Sequence, residues 1–360
     1  MTDRSKQAVQ RAARLHGPKD LRVDDIPAAD APGRRQARVR ITAVGICGSD
    51  LHTYLDGAIG TTRLKSPLPL GHEFAGVVES IGDTAMDGEG KTLVVGTRVA
   101  VDPARSCGRC ELCHLGHPNL CTSLEFTGLY PVPGALQEYL TVPAHCCFPV
   151  PDTVDDAEAA MLEPLGIAIH AVDLAHIKPG DTVAIVGSGT IGLCCLQMAT
   201  LAGAATVFST DLHGWRLDAA KGFGATIVDI GSVDPVATIM NATNGRGVDV
   251  ALECAWSSDE AIAQAVDVLR PGGRLVVVGI SGDDTLTFNH SAVRRRGLTI
   301  AICRRMKHTY PRAIELVNRG LVDVKTLVTD QVGLEDAAGA FADAAGYRPG
   351  IIKAIVRPDR

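Results

Sequence analysis

The sequence predicts an α/β protein of two domains, one β-rich and one built on a doubly wound parallel sheet. The chain has 360 residues, which exceeds the usual size of a single hydrophobic core. Apolar residues make up 46% of the composition and 38 residues are glycine, which is typical of a compact folded protein. The pattern of apolar runs changes near Pro164, and this change marks the expected domain boundary.

Before about Pro151, short apolar runs are separated by Gly and Pro, a pattern typical of antiparallel strands. The candidate strands are ARVRITAVG, FAGVVESIG, LVVGTRVAV and LQEYLTVP, and the stretch DTAMDGEGK is interpreted as an exposed loop. The end of the chain, GIIKAIVRP, is expected to return to this domain. We therefore predict a discontinuous β-rich domain over residues 1–163 and 305–360.

From about Pro164 onward, apolar runs alternate with segments of helical length. The runs are TVAIVG, TVFST, TIVDI, VDVALEC, GRLVVVGI and LTIAIC. Six buried strands joined by crossover helices predict a doubly wound parallel six-stranded sheet over residues 164–304.

Charge and hydropathy argue against two classes of partner. The formal net charge is -6, and the one dense basic run, 294–296, is interpreted as a solvated face, so we expect no nucleic-acid partner. No apolar window reaches the roughly 18 residues of a membrane span, and the first residues lack the apolar core of a secretory leader. We expect a cytoplasmic protein with no membrane partner, whose eleven cysteines are reduced.

Four cysteines, Cys107, Cys110, Cys113 and Cys121, are spaced C-x2-C-x2-C-x7-C, which predicts a metal site. Four thiolates form a closed tetrahedron that suits a structural zinc ion. The alternative is a set of buried or disulfide-bonded cysteines.

A second metal site is indicated by Cys47 in GICGSDLH and by His72 and Glu73 in GHEFAG. Cys, His and a carboxylate are zinc ligands, and a catalytic zinc uses a few protein ligands and keeps one position open. The alternative, with each residue taken singly, is that Cys47 belongs to the core and that His72 and Glu73 are an exposed pair.

Glu163 is unusual because apolar residues surround it in AAMLEPLGIAIHAV. A buried carboxylate there needs a metal, a cation or strong donors. Glu163 is therefore predicted as a fourth zinc ligand or as an acceptor beside zinc-bound water. The alternative is a surface glutamate at a helix end.

A nucleotide site is predicted where the strand TVAIVG leads into GSGTIG and an apolar helix. In this G-x-G-x-x-G motif, Gly187 permits the tight turn, Gly189 admits the pyrophosphate, and Gly192 lets the helix pack on the strand. Asp211 ends the next strand, 24 positions after Gly187, where an acid receives ribose hydroxyls and repels a 2′-phosphate. NAD is therefore favoured over NADP.

Arg216 complicates this preference, because a guanidinium could stack on adenine or relieve the charge of a phosphate. Ile191 in the glycine motif and Val278, Gly279 and Ile280, at the end of GRLVVVGI, are further predicted cofactor contacts. The alternative is a glycine turn that binds no nucleotide.

Together these motifs resemble the zinc-containing medium-chain dehydrogenases, most closely the sorbitol (polyol) dehydrogenase branch. The resemblance rests on GICGSDLH, GHE, the cysteine quartet, EPLGIAIHA, GSGTIG and TDLHGWR, and it covers essentially the whole chain. It implies a GroES-like catalytic domain beside a Rossmann domain, with the active site in the cleft between them. It also implies a homodimer or homotetramer with two zinc ions per subunit.

The resemblance implies a zinc-dependent transfer of hydride from a secondary alcohol, on a polyol or sugar-like substrate, to NAD. The implied positions are Cys47, His72 and Glu73 for the catalytic zinc, Glu163 for the metal or its water, Ser49 and His52 for a proton relay, and Tyr54, Phe126 and Arg305 for the substrate.

One departure from the branch lies in the substrate pocket. Where the branch usually has an aromatic residue beside its arginine, this chain reads RRM at 304–306. A threonine or simple-alcohol dehydrogenase of the same family is therefore an alternative, and a non-catalytic zinc-binding descendant is another.

Overall fold

The computed structural model describes residues 8–255, 259–281 and 285–360. The chain divides into two compact units. The first contains the chain up to Glu163 with Tyr310–Asn318 and Val328–Arg360, and the second contains Pro164–Thr309 and Arg319–Leu327. Residues 305–309 and 319–327, which the sequence pattern assigns to the β-rich domain, thus lie with the second unit.

Strands are numbered in chain order over the described residues. They are β1 (Val9–Gly17), β2 (Asp20–Pro27), β3 (Gln36–Gly45), β4 (Ala58–Ile59), β5 (Thr62–Arg63), β6 (Leu68–Pro69), β7 (Glu73–Ile81), β8 (Arg98–Val101), β9 (Ala104–Arg105), β10 (Glu125–Phe126), β11 (Tyr139–Pro143), β12 (Cys147–Pro149), β13 (Thr182–Val186), β14 (Thr206–Asp211), β15 (Thr226–Asp229), β16 (Val248–Glu253), β17 (Leu269–Val277), β18 (Thr299–Ile302), β19 (Val328–Gly333) and β20 (Lys353–Arg357).

Helices are numbered in the same way. They are α1 (Gly48–Asp56), α2 (Glu111–His114), α3 (Asp156–Ala160), α4 (Leu162–Ala175), α5 (Thr190–Leu201), α6 (Gly214–Gly222), α7 (Pro235–Ala242), α8 (Asp259–Asp267), α9 (His290–Arg296), α10 (Tyr310–Asn318) and α11 (Ala337–Ala345). Within the described residues, no helix has both the length and the apolar character that crossing a membrane requires.

The first unit is organised around β3, which lies inside a sheet of order β12-β8-β7-β3-β20-β19, with β11 also paired to β3. Ala37, Val39 and Ile41 alternate along β3 with less buried residues, so this half of the strand presents one face to the core. The last strand, β20, pairs antiparallel with β3. The end of the chain is therefore part of the sheet from which the candidate metal ligands project.

One local prediction in this unit is wrong in part, and another is confirmed except at two buried positions. The predicted strand LVVGTRVAV is a strand only from Arg98, because Gly96 has a φ of +88° and turns the chain before β8 begins. The stretch DTAMDGEGK is not uniformly exposed, since Ala85 and Asp87 are buried. The Asp87 carboxylate accepts hydrogen bonds from two backbone N–H groups of the same loop, each at 2.9 Å, and so orders it.

The second unit is a parallel sheet of order β15-β14-β13-β16-β17-β18. All six predicted strands are present, which confirms the predicted doubly wound sheet. The order reverses between β13 and β16. In sheets of this kind, ligands bind beyond the carboxyl ends of the strands at such a reversal, which is where the glycine motif follows β13.

Candidate active site and cofactor site

Cys47, His72 and Glu73 form a cluster in which one potential ligand atom from each lies within 4.8 Å of the others. Pairing of β3 with β7 places Gly45 opposite Glu73, so the segments that carry the three residues lie side by side. A Cβ at Gly45 would lie 2.1 Å from Glu73 Oε2, so only glycine leaves room for this carboxylate. His72 and Glu73 are buried, and the alternative of an exposed pair is therefore wrong.

The His72 imidazole is oriented by Asp50, a buried residue of α1. Asp50 Oδ1 lies 3.2 Å from His72 Nδ1 and also accepts from the Gly71 N–H, while Oδ2 accepts from the Cys47 N–H at 3.1 Å. A carboxylate at Nδ1 holds a proton there and leaves Nε2 as the ligand atom. Ser49 Oγ lies 3.3 Å from this Nε2.

The charge state of His72 follows from its neighbours. Burial disfavours the charged imidazole, yet the pKa of His72 lies well above its usual value because the Asp50 carboxyl and the Cys47 group face the ring. A metal that binds Nε2 therefore competes with a proton.

The donors of this cluster are a sulfur, an imidazole nitrogen and a carboxylate oxygen, which fit a catalytic zinc with a position left for substrate. Glu163 is only 2% exposed in the first turn of α4, so the alternative of a surface glutamate is wrong. It is not a member of the three-residue cluster. The charge of the Glu163 carboxylate nevertheless helps to raise the pKa of the buried Lys353.

Lys353 on β20 was not among the predicted site residues. Its buried ammonium donates to both carboxylate oxygens of Glu73, at 2.8 and 2.6 Å, and to the Ile46 carbonyl at 2.9 Å. The available sequence signal was a single lysine inside the apolar run GIIKAIVRP. Asp50 was also missed, although it stands within the quoted motif GICGSDLH.

The other predicted residues of the reactive centre divide into two groups. Phe126, like Ser49, lies beside His72, and the centroids of the Phe126 ring and the imidazole are 5.1 Å apart. His52 is buried in α1. Tyr54 packs in the core of the unit, 5.4 Å from the ring of Phe341. Arg305 belongs to the second unit, where it is half-buried with a φ of +58°.

The four-cysteine motif is assembled around α2, with the four sulfur atoms within 4.8 Å of one another. The Sγ atoms of Cys110 and Cys113 lie 3.5 Å apart, much longer than a covalent S–S bond, and all eleven cysteines are free. The disulfide alternative is therefore wrong. Backbone N–H groups of Cys113 and Thr122 lower the pKa of Cys110 to about 6, whereas desolvation and the neighbouring Cys110 sulfur raise the pKa of Cys113 to about 11, so the thiolate that a metal binds forms most readily at Cys110.

In the glycine motif, the backbone leaves no room for a side chain at two of the three glycines. Gly187 has a φ of +97°, and a Cβ there would lie 2.8 Å from the Ala255 backbone. A Cβ at Gly192 would lie 1.9 Å from the Gly187 carbonyl oxygen. At Gly189, the N-cap of α5, a Cβ would meet nothing closer than Arg216 Nη1 at 3.9 Å, so the helix N-terminus is open to an anionic group.

Asp211 lies at the end of β14 and is held by backbone donors. Its Oδ2 accepts from the Ser188 N–H at 2.8 Å, and its Oδ1 accepts from the His213 N–H at 2.9 Å. Arg216 Nη1 lies 3.7 Å from the same carboxylate. The predicted acid and guanidinium therefore lie close together at the end of β14.

At the end of β17, the backbone N–H groups of Val278 and Gly279 donate to the Glu253 carbonyl at 2.8 and 3.0 Å, and Ile280 is exposed. The fully buried Glu253 carboxyl also accepts from the Ala255 N–H at 2.8 Å. Burial raises the pKa of Glu253 to about 7. Glu253 was not predicted as a site residue, although it ends the predicted strand VDVALEC.

Comparisons with known proteins agree with this arrangement. Residues 33–152 match the model of the alcohol dehydrogenase GroES-like domain, and residues 190–319 match that of zinc-binding dehydrogenases. Sorbitol dehydrogenase of Bacillus subtilis (strain 168) is 38% identical over 97% of this chain and 98% of its own length. The chain belongs to the zinc-containing medium-chain dehydrogenases.

Two further proteins extend the comparison of this dehydrogenase. D-xylulose reductase A of Aspergillus oryzae is 34% identical over 91% of each chain. A protein from Sinorhizobium meliloti 1021, solved with NADP bound, has a TM-score of 0.88 and 32% identity and covers 98% of this chain and 100% of its own. The predicted family, its GroES-like and Rossmann folds and its oxidoreductase class are confirmed.

Proposed function

We propose that this dehydrogenase transfers hydride from a secondary alcohol, on a polyol or sugar-like substrate, to NAD. The proposal depends above all on the cluster of Cys47, His72 and Glu73 with the Ser49 hydroxyl beside it. The similarity to proteins named sorbitol dehydrogenase and D-xylulose reductase supports a polyol rather than a simple alcohol.

Two zinc ions per subunit are part of the proposal. Cys47, His72 and Glu73 would hold the catalytic ion, with Glu163 as a further ligand or as an acceptor close by. When bound, this ion supplies Lewis acidity that makes a substrate hydroxyl more acidic. The closed set of Cys107, Cys110, Cys113 and Cys121 would hold the second ion, with a structural role.

The proton of the substrate hydroxyl would pass to Ser49 and then to His52. Ser49 lies beside the ligand nitrogen of His72, so its hydroxyl is within reach of a group bound at the metal site. His52 follows three residues later on α1, which places both side chains on one face of the helix. Phe126, Tyr54 and Arg305 are the proposed substrate contacts.

The glycine motif and the N-terminus of α5 would bind the cofactor pyrophosphate, with Ile191, Val278, Gly279 and Ile280 lining the rest of the site. The Asp211 carboxylate would accept the ribose hydroxyls, and its negative charge favours NAD over NADP. Arg216 acts in the opposite direction, because a guanidinium attracts a 2′-phosphate.

The family resemblance also supports a homodimer or homotetramer located in the cytoplasm. Light scattering on the purified protein would measure the subunit count.

The experiment that tests the function is the appearance of NADH after zinc-replete protein is mixed with NAD and a panel of alcohols. The panel contains polyols, inositols, threonine and simple alcohols, and it is repeated with NADP. We expect turnover of a polyol with NAD and none in Cys47→Ser. Activity confined to threonine or simple alcohols would reassign the substrate, and full activity of Cys47→Ser would refute a catalytic metal at this cluster.

A further inference from the structure

Lys353 connects the two segments that carry the candidate metal ligands. Its Nζ lies 2.6 and 2.8 Å from the Glu73 oxygens and 2.9 Å from the carbonyl of Ile46, the residue before Cys47. The side chains of Lys353 and Glu73 are only 3% and 1% exposed. A lysine 280 residues away in sequence thus completes the surroundings of the cluster.

Because both charged groups are buried, solvent screens the electrostatic interaction between them only weakly. The Glu73 carboxylate faces two cation positions, the ammonium of Lys353 and the metal position shared with Cys47 and His72. Both carboxylate oxygens are already within hydrogen-bond distance of Nζ. Any carboxylate oxygen that a metal ion receives must therefore be shared with, or taken from, Lys353.

We propose that Lys353 is a positioning residue that holds the Glu73 carboxylate and thereby limits how strongly Glu73 binds the metal. This inference rests on the proposed function of the cluster. A carboxylate that is only partly committed to the metal leaves a coordination position that a substrate hydroxyl can occupy. The ammonium also repels a divalent cation, which acts in the same direction.

The test compares three variants with the wild type. Lys353→Met removes the charge, Lys353→Arg retains it, and Lys65→Met removes the charge of an exposed lysine of the same unit. Metal affinity is measured by competition with a chromophoric chelator. The visible absorption of Co2+-substituted protein reports the ligands, and the spectrum of Cys47→Ser protein is subtracted to remove the contribution of the four-cysteine site.

We expect Lys353→Met to bind the metal at least about 10-fold more tightly, because the unpaired carboxylate turns to the ion and the repulsion is lost. Its Co2+ spectrum should differ from that of the wild type and no longer respond to added substrate alcohol, and kcat should fall. Lys353→Arg should restore the affinity and the spectral response, and Lys65→Met should resemble the wild type. If the Met variant does not fold, Lys353→Gln makes the same test, since its amide can still donate to the Ile46 carbonyl.

An unchanged or weaker metal affinity in folded Lys353→Met or Lys353→Gln would overturn the inference. An equal change in Lys65→Met would also overturn it, because the effect would then be one of net charge. Failure of the proposed function is recognised separately. In that case the wild-type protein itself shows no metal signal that depends on Cys47, whatever residue 353 is.

Discussion

Asp50 is a single buried carboxylate that contacts both segments of the proposed catalytic metal site, since it accepts from the Cys47 N–H and faces His72 Nδ1. Asp50→Asn keeps the shape but replaces an oxygen by an N–H2 donor, which no longer holds the His72 proton at Nδ1. We expect metal affinity and kcat/KM to fall by about 10- to 100-fold while the fold is retained. Metal stoichiometry, chelator competition and steady-state kinetics measure this.

A matched control is available in the same unit. Asp24 Oδ2 lies 2.7 Å from His16 Nε2, a partly exposed Asp–His pair that has no proposed role in catalysis. Asp24→Asn should leave metal content and kcat/KM close to wild-type values. Equal losses in both variants, or none in Asp50→Asn, would contradict the assigned role of Asp50.

Glu253 provides a prediction of pH dependence. Burial raises its pKa from about 4.5 to about 7, so the ionised carboxylate is disfavoured in the folded state. Below pH 4.5 the Glu253 carboxyl is protonated in both the folded and the unfolded protein, so it does not lower the free energy of unfolding. As the pH rises from there through 7, the folded protein loses up to about 3 kcal/mol of stability relative to a neutral side chain.

Glu253→Gln removes this titration and keeps an oxygen that can accept from the Ala255 N–H. The unfolding temperature of the variant, relative to the wild type, should therefore be higher at pH 8 than at pH 5. Thermal unfolding of both proteins at the two pH values measures the difference. A difference that does not change with pH would show that Glu253 does not titrate in this range.

At the scale of elements, two glycines between β13 and α5 have different roles, one in packing and one in the proposed cofactor site. Gly192→Ala would place a Cβ 1.9 Å from the Gly187 carbonyl, so we expect a lower unfolding temperature and loss of cofactor binding. Gly189→Ala has open space, so the fold should be kept while NADH affinity falls by at least about 10-fold, because the methyl group would lie where the pyrophosphate is proposed to bind.

NADH fluorescence titration and thermal unfolding measure the two effects independently. Gly214→Ala, at the first position of α6, is the control, because a Cβ there meets nothing within 4 Å. The proposed cofactor site would be contradicted if Gly189→Ala bound NADH as tightly as Gly214→Ala.

The same scale shows what the sequence predicts well. The six parallel strands and the turn at GSGTIG were predictable, because a buried strand, a glycine turn and a helix are contiguous and each has a local pattern. The strand predicted over LVVGTRVAV is absent from the first half of that segment, because Gly96 takes a left-handed conformation. The hydrophobic content of the segment does not reveal this turn. The burial of Glu163 was predicted correctly as one of two alternatives, from its apolar neighbours.

At the scale of the whole molecule, the missed contacts are those that join distant parts of the chain. Lys353 meets Glu73 only because β20 returns to pair with β3, and a single sequence contains no signal for that pairing register. The position of Tyr54 against Phe341 depends in the same way on α11, which is nearly 300 residues away. Local motifs thus identified the candidate ligands, and tertiary structure determined their surroundings.

At the scale of the whole molecule, the two proposed metal sites both lie in the first unit, yet we predict that their loss has different consequences. Cys47→Ser removes one ligand from an open site that the core does not need, so turnover should be lost while the unfolding temperature and NADH affinity stay near wild type. Cys110→Ser opens a closed set of four thiolates that holds a loop with little core of its own. Its unfolding temperature should fall by at least about 5 °C.

In Cys110→Ser the Rossmann sheet should remain folded, because its hydrophobic core contains no residue of the cysteine motif. NADH titration below the first unfolding transition should therefore give a wild-type affinity, and Cys194→Ser, a buried thiol outside both metal sites, controls for loss of a sulfur. Loss of NADH binding together with the first transition would mean that the two units unfold as one cooperative body. The two units would then have separate hydrophobic cores without unfolding independently.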